Sequence, residues 1–496
     1  MRHITKVTLA ISLMLAASAA VARNASAQSE QKKTSSTKTA PQDHPAAKKP
    51  AKDETVIHVM HDVSAQQLQQ TIDKLVSFGT RNTLSVNNPD AATSSKGIVA
   101  ARNWIKSEFE RYSAACGGCL EVKTDTFVEP PRGRVSAPTE IQNVYAILRG
   151  TDPAQAKRIY LVTGHYDSRR KDVMNTTDPA PGANDDGSGT AVSLECARVL
   201  SKHRFPATLI FLTVAGEEQG LFGSAHFAKM AKEQGWEIQG VLNNDIVGGN
   251  RTPGDTLQNN NWVRVFSEGI PAAATEADLN HIRAVGGEND SPSRELARYI
   301  LEVSRTYSSF GAFTPKMIFR RDRYLRGGDH SSFNQQGFAA VRFTEYREDY
   351  HHQHENPRTE NGIEYGDLPK FVDFNYVAKV ARLNAATLAT LALAPAPPAQ
   401  ARLLTRELEN DAKIEWAASP GAAAYEVLWR KTTDPDFSPE NSVRTADTKV
   451  DLPQSKDNVI FGVRSIDSKW HMSLIVIPEP ERAGSPALER QKPKHK

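Results

Sequence analysis

Two short, continuous apolar segments in the middle of the chain constrain its fold more than any other feature. Residues 159–163 read IYLVT and residues 209–214 read LIFLTV, and a glycine follows each within two residues. Between them, residues 190–201 have the apolar spacing that is typical of a helix. Apolar strands that alternate with amphipathic helices predict an α/β domain, in which helices cover both faces of a central sheet.

The α/β pattern extends over residues 56–393, and a different pattern follows it. Residues 394–400 are rich in proline and alanine, which is typical of a stiff linker. Short alternating stretches, separated by turn-forming residues, then predict a small all-β sandwich over residues 401–480. The early Trp416 and the sequences YEVLWR and FGVRSID give this sandwich a resemblance to a fibronectin type III domain.

The first residues have the features of a signal peptide. Two basic residues precede a largely apolar run over residues 7–22, and residues 25–27 form the small tripeptide ASA. We therefore predict a signal peptide at residues 1–27, with cleavage after Ala22 and a short membrane anchor as the alternatives. The mature protein is then expected to be exported, either periplasmic or secreted, without stable insertion into a membrane.

Composition excludes some classes of protein for the chain as a whole. Hydrophobic residues make up 39% of it, which is enough for a buried core. The 61 lysines and arginines nearly balance the 58 acidic residues, so the net charge of +3 argues against a dedicated nucleic-acid-binding protein. Residues 28–55 contain few large apolar groups, so we predict a disordered linker there and a disordered tail at 481–496.

The chain contains three cysteines, two of them in the sequence CGGC. A CxxC motif could serve redox chemistry, zinc binding or a local disulfide bond. No second CxxC exists, and an exported protein meets an oxidising environment, so we expect a disulfide bond between Cys116 and Cys119. Cys196 stands alone within a helical pattern and is expected to be a small buried residue.

Acidic residues and a histidine follow the predicted strands, at the points where loops leave the sheet. One apolar run is followed by His165 and Asp167, the next by Glu217 and Glu218, and the sequence VLNN by Asp245. The segment PGANDDGSG also places two adjacent acids directly before a helix. Because ligands of open α/β sheets bind beyond the carboxyl ends of the strands, we expect these side chains on one rim of the sheet.

Such a group of acids requires cations, because several carboxylates stay ionised close together only where positive charge neutralises them. Histidine and carboxylate ligands together suit zinc, and also manganese or cobalt. One carboxylate can bridge two ions about 3.5–4 Å apart, as in two-metal hydrolases. In a pair of adjacent glutamates, one can bind metal while its neighbour moves protons. The rim therefore predicts a hydrolytic metal centre.

The motifs HYD, GANDDGSG, GEEQGLFGS and NND, together with a late histidine, resemble those of the co-catalytic zinc aminopeptidases. That family shares its fold with glutamate carboxypeptidase, glutaminyl cyclase and the transferrin receptor. The resemblance covers residues 56–393. It implies a mixed central sheet with helices on both faces, of the zinc-exopeptidase type, and two Zn²⁺ ions per chain, for which Co²⁺ or Mn²⁺ can substitute.

The resemblance also implies the role of each residue in the metal centre. His165 and Asp245 would bind one zinc ion, Glu218 would bind the other, and Asp185 would bridge both. The last ligand would be a histidine of the segment HHQHENPRT, and we assign His354 to that place.

The choice of His354 rests on the residues that follow it. The family places a threonine five residues after this ligand, usually preceded by aspartate. Thr359 stands five residues after His354, although Arg358 replaces the aspartate, whereas Pro357 stands five residues after His352. His352 remains the alternative ligand.

Two further acids have catalytic roles in this resemblance. Asp167 would hold the His165 imidazole in one tautomer. Glu217 would act as the general base towards water and later as the acid towards the leaving amine.

One later segment, GGDHSSFNQQGFAAVRF, resembles the strand that flanks the substrate pocket in this family. In it, Asp329 and His330 would have supporting roles. Tyr324 would be a hydrogen-bond donor to the tetrahedral intermediate. The basic run at residues 320–326 would be either a solvated loop or a clamp for a substrate carboxylate.

These observations predict an exported di-zinc metallo-exopeptidase that acts on peptide substrates. The expected activity is that of an aminopeptidase, with a metal-bridged hydroxide as the nucleophile and a glutamate as the general base. The alternatives are a carboxypeptidase of the same family, a glutaminyl cyclase-like acyl transferase and a non-enzymatic binding homologue. The five predicted metal ligands disfavour the last two, since the cyclases typically use one zinc ion and the binding homologues lose ligands.

Overall fold

The computed structural model describes residues 52–252, 254–308 and 313–481 of the chain. The predicted signal peptide, most of the predicted linker before residue 56 and nearly all of the predicted tail lie outside these residues. The first helix, α1 (Glu54–Asp62), begins two residues earlier than the sequence pattern indicated, because the Asp53 side chain accepts hydrogen bonds from the backbone NH groups of Thr55 and Val56. No helix among the described residues is long and apolar enough to cross a bilayer.

The larger part of the described chain is built on an eight-stranded mixed sheet. Its strands, in chain order, are β1 (Leu120–Glu129), β2 (Thr139–Leu148), β3 (Arg158–His165), β4 (Thr208–Val214), β5 (Glu237–Asn244), β6 (Trp262–Ser267), β7 (Thr314–Ile318) and β8 (Ala340–Glu345). Their spatial order is β1-β2-β4-β3-β5-β8-β6-β7, in which β4, β3, β5 and β8 run parallel. Strands β1 and β2 pair antiparallel with their neighbours, and β6 pairs antiparallel with β8 but parallel with β7.

Helices lie on both faces of this sheet, and the central strands β3 and β4 are accordingly buried at every position. In β3, Tyr160 and Val162 belong to one hydrophobic cluster, while Ile159 and Leu161 belong to another on the opposite face. The first cluster includes side chains of α1, α2 (Ala65–Val76), α3 (Gly97–Ala115), α4 (Gly187–Leu200) and two helices from later in the chain.

The helices that follow α4 are α5 (Glu217–Gly220), α6 (Phe222–Glu233), α7 (Glu276–Val285), α8 (Pro292–Thr306), α9 (His330–Gln335) and α10 (Phe374–Leu393). Helices α8 and α10 complete the first cluster, and α6 and α9 pack in the second. The predicted mixed α/β fold is thereby confirmed.

The cysteines lie as the sequence indicated. Cys116 and Cys119 form a disulfide bond across the turn between α3 and β1. Cys196 is fully buried within α4 and is a free thiol.

The C-terminal part consists of two small sheets that share one core. The strands are β11 (Ala399–Leu404), β12 (Asp411–Ala417), β13 (Ala424–Lys431), β14 (Ser442–Thr445), β15 (Lys449–Ser455), β16 (Val459–Ile466) and β17 (Glu479–Pro480); a separate hairpin, β9 (Arg358–Glu360) and β10 (Ile363–Tyr365), precedes α10. One sheet has the order β15-β12-β11-β17 and the other β14-β13-β16. Trp416, Val427 and Val463 meet in the core between them. The first of these strands begins at Ala399, so the Pro/Ala connection is shorter than predicted.

Charged side chains join these sheets to the α/β part. Arg464 reaches Glu302 of α8 at 2.7 Å. His471 lies between two carboxylates, with its Nε2 atom 3.0 Å from Asp53 and its Nδ1 atom 2.8 Å from Asp467. The N-cap of α1 and the end of the C-terminal sheets are therefore connected through one imidazole.

We expect His471 to make the stability of the protein depend on pH. Burial lowers the pKa of this imidazole, but the hydrogen bonds to Asp467 and Asp53 outweigh burial and leave the pKa above its ordinary value. A raised pKa in the folded state adds stability below the unfolded pKa of about 6.5, and that stability is lost as the pH rises through the folded pKa. The melting temperature of the wild-type protein should therefore fall more between about pH 6 and about pH 9 than that of the His471→Gln variant.

The matched control is His61→Gln, because the His61 side chain is 81% exposed. This variant should follow the wild-type pH profile. Parallel profiles for the wild type and His471→Gln would contradict the assignment.

Candidate metal centre

The candidate site lies at the carboxyl ends of three neighbouring parallel strands. His165 is the last residue of β3, Glu217 and Glu218 open α5 just after β4, and Asp245 directly follows β5. The carboxyl ends of parallel strands meet at one edge of a sheet, which explains why residues distant in the chain converge here. Asp185 reaches the same edge from the loop that precedes α4.

The five residues predicted as metal ligands come together at this edge. They form two groups, each with donor atoms that lie within 4.8 Å of one another: His165, Asp185 and Asp245 in the first, and Asp185, Glu218 and His354 in the second. Asp185 belongs to both groups. One of its oxygens lies 3.2 Å from His165 Nε2, and the other lies 2.7 Å from His354 Nε2.

The chemistry of these side chains fits zinc. Two imidazole nitrogens and three carboxylates are donors that Zn²⁺ accepts. His165 Nε2 and Glu218 Oε1 are buried, and their contacts with Asp185 at 3.2 Å and with His354 at 3.1 Å lack the geometry of a hydrogen bond. A buried polar atom without a partner is costly, and a cation between the two groups would remove that cost.

The close approach of carboxylates and imidazoles also shifts the pKa values of these groups. Burial lowers the pKa of His354, but the carboxylates of Glu218 and Asp185 outweigh this and raise it to about 10. The pKa of Asp185 lies well below its usual value, because His354 and His165 outweigh the effect of burial. The acids therefore draw positive charge to this point, and a divalent cation would replace the imidazole protons.

Asp167, which the sequence resemblance assigns to orienting the imidazole, is fully buried beside His165. Its Oδ1 atom lies 3.4 Å from His165 Nδ1, and its backbone oxygen lies 3.2 Å from the same nitrogen. Its Oδ2 atom accepts hydrogen bonds from Thr83 Oγ1 at 3.0 Å and from the Glu218 backbone NH at 3.2 Å. Asp167 thus links a residue of the first group to the backbone of the second.

Glu217 is half-buried and lines the cavity above the five residues. Burial raises the pKa of its carboxyl group well above the usual value, and the neighbouring charges of Glu218 and Asp245 act in the same direction. A carboxylate here faces the space in which a substrate would meet the metal centre. That position is the one expected of a general base.

Two acids that flank the site fix its backbone. The Asp186 carboxylate accepts hydrogen bonds from the backbone NH groups of His165 and Gly189, at 3.0 and 2.8 Å, and thereby caps α4. Asp367 accepts from the backbone NH groups of Asn184 and Asp185, both at 2.7 Å. The peptide bond between Asp185 and Asp186 is cis.

Three residues that support the site were not recognised from the sequence. Asp367 lies in a loop near β10, where an isolated acid has no distinguishing pattern. Arg81 is fully buried and donates to the backbone oxygens of Tyr166, Pro181 and Gly182, which ties the loop before Asp185 to the end of β3.

The third, Arg342, is fully buried in β8. Its guanidinium lies 2.9 Å from Asp245 Oδ1 and 3.2 Å from Asp322 Oδ2. The signal in the sequence was an arginine inside the otherwise apolar run AAVRF, because a charge in a buried strand requires a partner.

The other residues of the predicted site have supporting or exposed positions. Asp329 and His330 are buried, and His330 Nε2 lies 2.9 Å from the Arg321 backbone oxygen. His352 stacks on Phe371 and belongs to neither group of metal-ligating atoms. Tyr324 is 77% exposed and stacks with Arg320 outside the cavity, so its predicted contact with the reaction centre is wrong.

Several known proteins resemble this chain in sequence or in fold. Residues 143–368 match the model of Peptidase family M28. A probable zinc metalloprotease of Leptosphaeria maculans is 43% identical over 435 residues, which cover 87% of this chain and 98% of that protein. Another, from Pyricularia oryzae, is 44% identical over 428 residues and covers 84% of this chain and 83% of the relative. Among solved structures, the LapA aminopeptidase of Legionella pneumophila matches 71% of this chain and 78% of its own, with 19% identity and a TM-score of 0.48.

The family match and the sequence relatives identify a metallopeptidase. The chain belongs to peptidase family M28, which confirms the resemblance drawn from the HYD, NDD and GEE motifs.

Proposed function

We propose that the protein is a zinc exopeptidase that holds two ions and removes the N-terminal residue from peptides. The observation that carries this proposal is the position of Asp185, whose two oxygens face the imidazoles of His165 and His354. A carboxylate shared in this way suits a bridging ligand between two ions. The aminopeptidase activity rests on the sequence motifs.

The residues that would hold the ions follow from the two groups of donor atoms. His165 and Asp245 would complete one site, and Glu218 and His354 the other, with Asp185 common to both. Zinc supplies Lewis-acid chemistry, since it lowers the pKa of a bound water and polarises a carbonyl group. Asp167 keeps His165 Nε2 directed at the site by holding the opposite nitrogen.

Glu217 would move the proton. Its carboxylate accepts a proton from the attacking water and returns it to the nitrogen of the leaving amine, so that one residue serves both halves of the hydrolysis. The position of Glu217 on the cavity wall, beside the ligand Glu218, supports this role.

Export is part of the proposal. The disulfide bond between Cys116 and Cys119 supports it, because disulfide bonds persist in oxidising compartments. The N-terminal pattern of basic, apolar and small residues supports it independently.

A substrate panel tests the type of reaction. We expect the zinc-loaded protein to hydrolyse aminoacyl p-nitroanilides and unblocked peptides, and to lose this activity when a chelator removes the metal. N-acetylated peptides with a free carboxyl terminus test carboxypeptidase activity, and N-terminal glutaminyl peptides test cyclisation through the release of ammonia. Cleavage restricted to the carboxyl end, or cyclisation without hydrolysis, would contradict the aminopeptidase proposal.

The number of ions is tested by the zinc content of ligand variants after dialysis. The wild-type protein should retain about two ions per chain and His354→Ala about one, while Asp185→Asn should retain fewer than one because both sites lose a ligand. His351→Ala is the matched control, since this neighbouring histidine is exposed and pairs with Asp349. One ion in the wild type, or equal zinc content in His354→Ala and Asp185→Asn, would contradict the shared-ligand arrangement.

Glu217→Gln tests the proton transfer. This variant keeps the shape of the side chain but cannot accept a proton, so kcat should fall about 10²-fold or more while zinc content is unchanged. Glu233→Gln on the exposed end of α6 is the control and should match the wild type. Near wild-type turnover by Glu217→Gln would exclude Glu217 as the general base.

A further inference from the structure

The cavity above the candidate metal centre is lined by four arginines from three separate loops. Arg134 comes from the connection between β1 and β2, and Arg169 from the loop after β3. Arg323 and Arg326 come from the connection between β7 and α9. The metal centre accounts for the acids of this cavity, but it needs none of these guanidinium groups.

With metal bound, the positive charge of these arginines would exceed the negative charge of the acids beside them. The four carboxylates that line the cavity are those of Asp185, Glu217, Glu218 and Asp245. Two divalent cations would offset all four of them. The positive charge of the arginines would then be balanced only by acids behind the cavity wall.

The acids behind the cavity wall compensate the charge of only one of the four arginines. Arg323 lies 3.1 Å from Asp322 and 2.8 Å from Glu348, so its charge is compensated. Arg326 reaches Glu348 only at 4.0 Å, and that carboxylate already pairs with Arg264 at 2.6 Å. The charge of Arg326 is therefore largely available to a ligand.

The other two arginines are also available. Arg134 donates to the backbone oxygen of Glu218 at 2.8 Å, and it forms no ion pair among the residues that the structure describes. Arg169 Nε lies 3.8 Å from Glu218 Oε2, is buried, and has no hydrogen-bond partner in the described chain. Both guanidinium groups adjoin the residue that would bind the second ion, so an anion bound by them would lie beside the metal centre.

We propose that Arg134, Arg169 and Arg326 bind a carboxylate of the substrate, and that the enzyme favours peptides that present one to this cavity. This inference rests on the proposed peptidase function. The carboxylate has two possible sources, an acidic N-terminal side chain or the free carboxyl terminus of a short peptide. Guanidinium groups bind carboxylates through paired, charge-assisted hydrogen bonds, which explains why arginine serves this task.

The test uses substrate pairs that differ by one charge. Asp-Ala-amide and Asn-Ala-amide differ only in the acidic side chain, and Leu-Ala and Leu-Ala-amide differ only at the carboxyl terminus. We expect kcat/KM to be about tenfold or more higher for the charged member of one pair, and the pair identifies the source of the carboxylate. Because the attraction is electrostatic, the preference should weaken as salt is added.

Arginine variants connect that preference to the cavity. Arg134→Gln and Arg326→Gln should each reduce the ratio of kcat/KM for the charged over the uncharged member. The matched control is Arg320→Gln, which removes an exposed arginine of the same segment that does not line the cavity. An equal loss of preference in Arg320→Gln would mean a general effect of net charge and would overturn the inference.

Calorimetric binding to the zinc-loaded protein gives a readout that does not need turnover. L-aspartate should bind more tightly than L-asparagine if the arginines bind the side-chain carboxylate. Leu-Ala should bind more tightly than its amide if they bind the carboxyl terminus. Arg134→Gln should remove the difference. Equal affinities and equal kcat/KM values within both pairs would overturn the carboxylate site but leave the peptidase proposal intact, whereas hydrolysis of neither pair by zinc-loaded protein would overturn the peptidase proposal.

Discussion

The Asp185 carboxylate, placed between the imidazoles of His165 and His354, is the interaction on which the candidate centre depends. No single strand could bring these groups together. The parallel strands deliver His165 and Asp245 to one edge of the sheet, and the loop before α4 delivers Asp185. The Asp367 carboxylate then holds that loop by accepting buried hydrogen bonds from its backbone NH groups, and the Asp186 carboxylate ties it to β3 by accepting from the His165 backbone NH. The site is accordingly a property of the whole sheet and not of one motif.

Much of the fold and of the site follows from local patterns in the sequence. Continuous apolar runs identified β3 and β4, because strands covered on both faces need apolar residues at every position. The same runs located His165, Glu217 and Glu218, because ligand groups follow the carboxyl ends of such strands. His354 was found only through the resemblance to a family, since its loop has no regular structure of its own.

Residues whose partners are distant in the chain could not be found in this way. Arg81 contacts backbone oxygens about a hundred residues away in the chain. Arg342 pairs with Asp245, which precedes it by 97 residues. Such pairings depend on which loops the fold brings together, and periodicity carries no information about that. The arginines of the cavity are a third example, because three loops contribute to one wall.

A buried arginine also limits how many atoms one of these acids can offer to a metal. One oxygen of Asp245 pairs with Arg342, and Asp185 divides its two oxygens between the two histidines. Each of these two acids would therefore offer one oxygen to an ion in a given group. An ion held by either group would have three protein donors, and since zinc ordinarily takes four ligands, a water or a substrate carbonyl would be free to supply the fourth.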